Sequence, residues 1–325
     1  MLSKILGRCA CAAVVFSSSL VAPGAALAVD MSLTPHADQT MHRAAMAPPI
    51  PVKRHGILYK ISREGRAAYL FGTIHVGASS FYPLGPEVAL ALGASNELVL
   101  ELDTRAELAY ARAVRVHGSY GRGEKIQHFI APATLERLTQ ALHALGITVG
   151  SMAHMKPWLI ANILMGLELQ RSGFERAHGN EGVLLAHAQA HGTSVSELES
   201  ADYQLALFDT LSAAEAERYL LESLAQLSDG SSLRKARATI DAWVSGDVAA
   251  LDALVPDAVG GDSVMSQFTR QVLLGRRNPE MAAGIERIMQ GGKTAFVGVG
   301  LLHLLGTDGL PQLLSQRGYH VERVY

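Results

Sequence analysis

The sequence predicts a mixed α/β fold: a central β-sheet formed by the N- and C-terminal segments, with a large helical insertion between them. Three observations predict it. Apolar runs of strand length cluster before residue 103 and after residue 293. Between about 130 and 290, apolar residues recur instead at helical spacing. Near each end, a short apolar run passes into the same string: Gly72-Thr73-Ile74-His75, then Gly300-Leu301-Leu302-His303. This echo is too sparse for a tandem repeat. It suggests a pseudo-two-fold sheet in which the two ends pair and the helical middle forms a cap.

Residues 1–28 read as a cleavable export signal. Lys4 and Arg8 make a basic start, an apolar run extends from Cys9 to Val21, and Ala26-Leu27-Ala28 is a small-x-small exit, placing cleavage after about Ala28. The apolar run is shorter than the ~20 residues a membrane span requires. A periplasmic or secreted protein, not integral to a membrane, is therefore expected. Cys9 and Cys11 are the only cysteines. The mature chain is left without disulfides, thiolate nucleophiles, Cys-ligated zinc or iron–sulfur clusters. Losing Lys4 and Arg8 takes the basic count from 28 to 26, against 30 acidic residues. That acidic balance argues against nucleic acid as a partner. Residues 29–54 read as a flexible linker, because Met, His, Ala and Pro recur without period and end in Pro48-Pro49-Ile50-Pro51. One folded domain is expected over 55–325.

Within it, residues 57–61 and 67–71 read as two strands joined at Gly65, a hairpin. A short helix with Pro86 in its first turn is expected over 86–94, and a third strand over 97–102. Leu135, Leu138, Leu142 and Leu145 share one helical face over 134–145. Residues 157–170 are apolar all round, which predicts a buried helix. A helix over 181–191 stops at Gly192, and a short strand follows over 195–198. Further helices are expected over 213–227, 233–244, 264–274 and from Asn278-Pro279 to about 290. The chain then returns to strand over 294–299, to a helix over 301–316 broken around Gly306 to Gly309, and to a closing strand over 320–324.

The Gly-x-x-His strings carry the chemistry only through their context. With 31 Gly and 13 His in the chain, chance alone supplies about one such string. Each, however, follows an apolar run of strand character. A glycine there allows φ > 0 and a sharp exit from the sheet. The histidine then falls just past the carboxyl end of a strand, where open α/β sheets place ligands. Gly72 and Gly300 thus belong to the candidate binding set. Glu101 follows Leu98-Val99-Leu100, and a carboxylate buried there requires a cationic partner. Asp103 shares its side if the strand continues. His75, His303 and Glu101 together make a set suited to Zn, Mn, Co or Fe, able to activate a water and polarise a carbonyl. Without metal, one histidine acts as a general base oriented by the carboxylate.

The stretches Tyr69-Leu70-Phe71-Gly72-Thr73-Ile74-His75-Val76-Gly77, Tyr82-Pro83-Leu84 and Leu98-Val99-Leu100-Glu101-Leu102-Asp103 resemble the opening of the TraB/GumN family, which is related to the TIKI proteases. Phe296 to Gly306 is similar to the family's second motif. Lys156-Pro157-Trp158, Leu198-Glu199 and Arg277-Asn278-Pro279-Glu280-Met281 resemble weaker landmarks between them. The likeness runs from about Gly56 to the C-terminus. It implies a fold of the erythromycin-esterase/ChaN-like type, a site using His75, His303 and Glu101, and dependence on a divalent metal, Mn or Co before Zn. The chain departs from the pattern after Gly179, where members usually carry an acidic residue following glycine and this sequence has Val183.

Other signals point elsewhere. His187 and His191 lie at i, i+4, but the zinc-protease pattern needs Glu after the first His, and Ala188 stands there. Arg276-Arg277 suit a substrate carboxylate or phosphate, or an ion pair with Glu280. Glu199 either enters the site from the end of the fourth strand or caps a turn. No Gly-x-Ser-x-Gly elbow, phosphate loop or dinucleotide fingerprint occurs. The leading expectation is an exported metal-dependent hydrolase of a peptide or other small acyl substrate, with His75, Glu101, His303, Arg277 and Glu199 in its site. The alternatives are a non-catalytic protein binding a metal, haem or small ligand, as the ChaN-like relationship implies, and an accessory factor in surface polysaccharide or conjugation systems, as the family's name implies.

Overall fold

The computed structural model describes residues 54–325. The expected export signal, and the linker up to residue 53, lie outside the described residues. Six strands form one mixed sheet: β1 Leu58–Arg63, β2 Arg66–Thr73, β3 Glu97–Leu100, β4 Ser194–Glu197, β5 Ala295–Gly300 and β6 His320–Arg323, in the order β4-β3-β5-β2-β1-β6. β1 and β2 turn on Glu64-Gly65, whose φ values of 51° and 76° are the left-handed pair that a two-residue hairpin loop demands.

The two Gly-x-x-His strands are the central pair. β2 and β5 lie parallel, with Thr73 opposite Gly300. β3 is parallel to β5, and β4 to β3. β1 is antiparallel to β2, and β6 to β1, so β1 alone runs against the other five strands. Strands buried on both faces read as unbroken apolar runs, which is why Leu98-Val99-Leu100 and Ala295-Phe296-Val297 hold no alternation. β4 and β6, at the two edges, are short and partly exposed.

The helices are α1 Pro86–Gly93, α2 Glu107–His117, α3 Pro132–Ala144, α4 Val149–Met152, α5 Pro157–Arg171, α6 Asn180–His191, α7 Ala201–Ala206, α8 Ala213–Ser228, α9 Ser231–Ser245, α10 Val248–Val259, α11 Val264–Phe268, α12 Arg277–Gln290 and α13 Leu310–Gln316. One face of the sheet, through Phe71, Leu98, Leu100 and Phe296, packs on α1, α6 and α9. The other, through Leu70, Val99, Val297 and Val299, packs on α12 and α13. A separate core joins α2, α3, α5, α7 and α8, where Trp158 stacks on Phe208 with ring centroids 4.2 Å apart.

Four helices have no counterpart in the sequence reading: α2, α4, α7 and α10. α10 contains Pro256, which argues against a helix interior. It starts all the same because the Asp247 carboxylate caps the Ala250 N–H at 3.0 Å. The expected helix over 264–274 is α11 followed by a π-helical stretch, Thr269–Leu274. The broken helix over 301–316 is a 3₁₀ turn at Leu301–Leu304 and then α13.

The central pair is tied to the α9 layer by Trp243. Its indole N–H donates to the Gly72 carbonyl at 2.8 Å, and the side chain is fully buried. Trp243→Phe keeps most of the apolar volume and strands that carbonyl, which should cost about 1–3 kcal/mol. Trp243→Ala should cost about 3–5 kcal/mol. Urea denaturation of both variants checks this order, and equal losses would contradict the role given to the hydrogen bond.

Candidate functional site

Four parallel strands end at one edge of the sheet, and each brings a polar side chain there. β2 stops at Thr73, with His75 two residues on. β5 stops at Gly300, with His303 three residues on. Glu101 directly follows β3, and Glu199 lies two residues past β4. Pairing of β3 with β4 continues past the strands, since Glu199 N donates to Glu101 O at 3.0 Å. The two carboxylates are thus held side by side.

Between them enters Arg277, the first residue of α12, with no exposed surface. Its Nε donates to Glu199 Oε1 at 3.0 Å, and its Nη2 to Glu199 Oε2 and to Glu101 Oε2, both at 2.7 Å. Gln204 on α7 donates to Glu199 Oε2 at 2.8 Å. Arg277 Nη1 and Gln204 Oε1 are buried without a protein partner. The bidentate grip proposed for a substrate is therefore taken by the protein's own carboxylates. The sequence left two readings for Glu199, and its side chain enters the site. Arg276 stays on the surface, 3.8 Å from Glu280.

Both imidazoles are oriented through Nδ1. His75 Nδ1 donates to Glu181 Oε1 at 2.8 Å, and the Thr73 hydroxyl donates to the same oxygen at 2.9 Å. His303 Nδ1 lies 2.5 Å from Asn278 Oδ1, while the Asn278 amide nitrogen donates to Asp308 O at 2.7 Å. That second bond fixes Asn278 as the acceptor, so His303 carries its proton on Nδ1 and presents a lone pair at Nε2. His303 Nε2 faces Glu101 Oε1 at 3.6 Å.

The three groups surround Gly300. A Cβ placed on it would lie 2.9 Å from Glu101 Oε1 and 3.6 Å from both His75 Nε2 and His303 Cδ2. Gly300 N also donates to Glu101 Oε1. Its φ is −52°, and Gly72 likewise has no positive φ. The sharp-exit role expected of these glycines is thus corrected: Gly300 is required for close approach. Gly72 lies apart from the three donors, where a Cβ would meet Leu301 and Leu304 side chains at 3.0 and 3.1 Å. Its part is packing. β3 ends before Asp103, which pairs with Arg105 Nε at 2.8 Å rather than joining Glu101. His187 and His191 stack on each other on α6, ring centroids 4.1 Å apart.

The electrostatics follow from burial and pairing. Burial opposes the Glu101 charge, yet the adjoining His303, Arg277 and His75, with the Gly300 N–H, hold its pKa down to about 2. At His303 burial dominates and lowers the pKa to about 3, leaving the ring neutral at pH 7. For His75 burial is outweighed by Glu181, and the pKa rises. For Glu199 burial and the charge of Glu101 prevail over Arg277, and the pKa rises.

Two imidazoles and a carboxylate suit a divalent cation in donor chemistry. Acceptors on both Nδ1 atoms are the usual support for metal-binding histidines. A tetrahedral ion with bonds of about 2.1 Å separates its donors by roughly 3.4 Å, close to the His303–Glu101 distance of 3.6 Å. The set is open: among the described residues, no three His, Asp or Glu side chains form a ready metal cage.

The sequence reading missed Glu181, Asn180, Asn278 and Gln204. Glu181 stands in the first turn of α6, where an acid is ordinary, and Asn278 sits beside a helix-starting proline. The sequence set Val183 against an expected acid; the acid this segment brings to the site is Glu181, two residues after Gly179. Asn180 locks the segment in place, its Oδ1 accepting from Ile74 N at 2.8 Å and its own N donating to Ile74 O at 3.1 Å.

Two predictions come from this arrangement. Arg277→Met leaves two buried carboxylates without their cation and should cost about 3–5 kcal/mol at pH 7. A loss under about 1 kcal/mol by chemical denaturation would refute the pairing. The second concerns acid. Glu101 has its pKa depressed from 4.5 to about 2, so its contribution is complete above pH 4.5 and lost toward pH 2. His303 is depressed from 6.5 to about 3, so stability falls as the pH drops through that window. His75, shifted upward, acts in the opposite sense. His303→Asn should therefore flatten the fall between pH 6.5 and 4.5, whereas His75→Asn should leave that window unchanged and remove a loss of stability that sets in as the pH rises above 6.5, as denaturation midpoints across a pH series would show.

Comparison with known proteins places this geometry in a lineage. Proteins of Shigella flexneri and of Escherichia coli (strain K12), each described as uncharacterized protein YbaP, are 26% identical to the chain over 255 residues, covering 77% of this chain and 88% of each relative. No solved structure matches the chain. Residues 57–323 match the model of the TraB/PrgY/gumN family. That span contains both Gly-x-x-His strings, Glu101, Glu199 and Arg277, and the chain belongs to the TraB/PrgY/gumN family.

Proposed function

We propose that the chain is an exported, metal-assisted hydrolase of a peptide or other small acyl substrate, with His75, His303 and Glu101 as the residues that hold the ion. One observation carries the reading. Two histidines from opposite ends of the domain have Nδ1 engaged by Glu181 and Asn278, and both present Nε2 around Gly300, beside Glu101. Imidazoles are oriented in this way when Nε2 is to bind a cation. Charge supports it as well. Glu101 and Glu199 share a single buried guanidinium, Arg277, while Glu181 pairs with His75, so when both imidazoles are neutral the cluster carries an excess of negative charge that a divalent cation offsets.

When bound, the ion would supply Lewis acidity and a water of lowered pKa, with Mn or Co favoured by the family resemblance and Zn possible. The protein's own groups do the rest. His75 and His303 set the position, and Glu181 and Asn278 keep their lone pairs aimed. Arg277 keeps Glu101 anchored and ionised at Oε2 while Oε1 faces the imidazoles. Gly300 leaves the space a side chain would fill. The export reading rests on Lys4, Arg8, the apolar run and the Ala26-Leu27-Ala28 exit.

A second reading, binding without turnover, is favoured by enclosure. The His75 side chain retains only 11% of its exposure, and Glu101 and His303 less. Elemental analysis of the purified protein separates the cases. The hydrolase reading expects near-stoichiometric Mn, Co or Zn, lost in His75→Ala and His303→Ala, with turnover on a panel of peptides and esters that disappears in the same variants. Full metal retention in both variants ends the metal assignment. Stoichiometric metal with no turnover across the panel selects the binding protein.

A further inference from the structure

Away from this site, α3, α5 and α8 line a half-open cleft of about 530 Å³ that shares no lining residue with it. The volume falls within the ~300–1,000 Å³ of small-molecule clefts. The hollow arises from side-chain size. α3 turns Leu138 and Leu142 into the helical core and presents Ala141 and Ala144 to the gap, and these are too short to fill it. Leu145, Leu164, Leu224 and Leu227 make apolar walls, and leaving such surface wet is unfavourable.

Two cations stand at the mouth, Arg137 and Arg171, both exposed. Among the described residues neither guanidinium has a hydrogen bond or an ion pair. Glu168, the one acid among the lining residues, accepts from the Ser232 hydroxyl on α9 and, among the described residues, forms no ion pair with either arginine. Apolar walls below two unpaired guanidiniums match a molecule with an apolar tail and an anionic head.

We propose that this cleft binds a single-chain amphiphile with a carboxylate head, a medium-chain fatty acid, its tail along the leucines and its carboxylate on Arg137 and Arg171. The reading is independent of the hydrolase proposal, since it uses none of that site's residues.

Isothermal titration of the full chain with decanoate, kept below its micelle concentration, tests it. Saturable binding near one per chain is expected, and acetate, which has the head without the tail, should not compete. Decyltrimethylammonium, with a comparable tail and the opposite charge, should bind at least tenfold more weakly. The double variant Arg137→Gln, Arg171→Gln should lose affinity at least tenfold. Both positions are exposed, and circular dichroism would verify that the variant is folded. Absence of saturable binding overturns the proposal, as does equal affinity of the double variant or of the cationic amphiphile.

Discussion

The guanidinium of Arg277 is the constraint on which the site depends. It is enclosed completely and reaches two carboxylates from two neighbouring strands. Like charges forced together in a low-dielectric interior repel strongly, and Glu101 and Glu199 adjoin because β3 and β4 are paired. Without a cation between them, the end of the sheet would have to open or take up protons. Arg277 resolves the conflict with three donated bonds per carboxylate pair arranged in a planar fork, a geometry lysine cannot reproduce. It also leaves Glu101 Oε1 turned to the other side, toward both imidazoles.

The placement of the imidazoles then follows from topology. Parallel neighbours present their carboxyl ends at one edge, so any residue a fixed distance past the strand arrives in the same region. Thr73 and Gly300 are register partners in the middle of the sheet, which brings His75 and His303 together although the helical region separates them along the chain. Glu181 and Asn278 come from helices on opposite faces and complete the alignment. The site is thus a junction of every layer: strands for the imidazoles and carboxylates, α6 and α12 for their orientation.

Much of this was legible in the residues. Strand ends betray themselves when an apolar run stops at a charged or imidazole-bearing residue, as at Glu101. The Gly-x-x-His strings gave the two histidines, and the helical periodicity of 134–145 and 157–170 gave the buried helices. What stayed hidden was the supporting polar set. Glu181, Asn278 and Gln204 occupy helices where such residues are commonplace, and only the packing of α6, α12 and α7 against the sheet edge gives them partners. α2 and α10 were hidden for a related reason. Leu108 is 89% exposed on α2, which blurs the apolar stripe, and Pro256 contradicts local propensity in α10. The role of Gly300 was also misread, since glycine is permissive in two ways, and it is the missing Cβ rather than the backbone angle that this position uses.

The short bond network between Gly300 and Glu101 spans 199 residues of chain. Contacts of such sequence separation form late, because the intervening loop entropy must be overcome before they contribute. β5, near the end of the domain, is the strand that fills the gap between β2 and β3, and without it the facing edges of both strands have no partner. A chain cut before residue 295 would lack the central strand, Gly300 and His303 at once, so the rim is assembled whole or not at all.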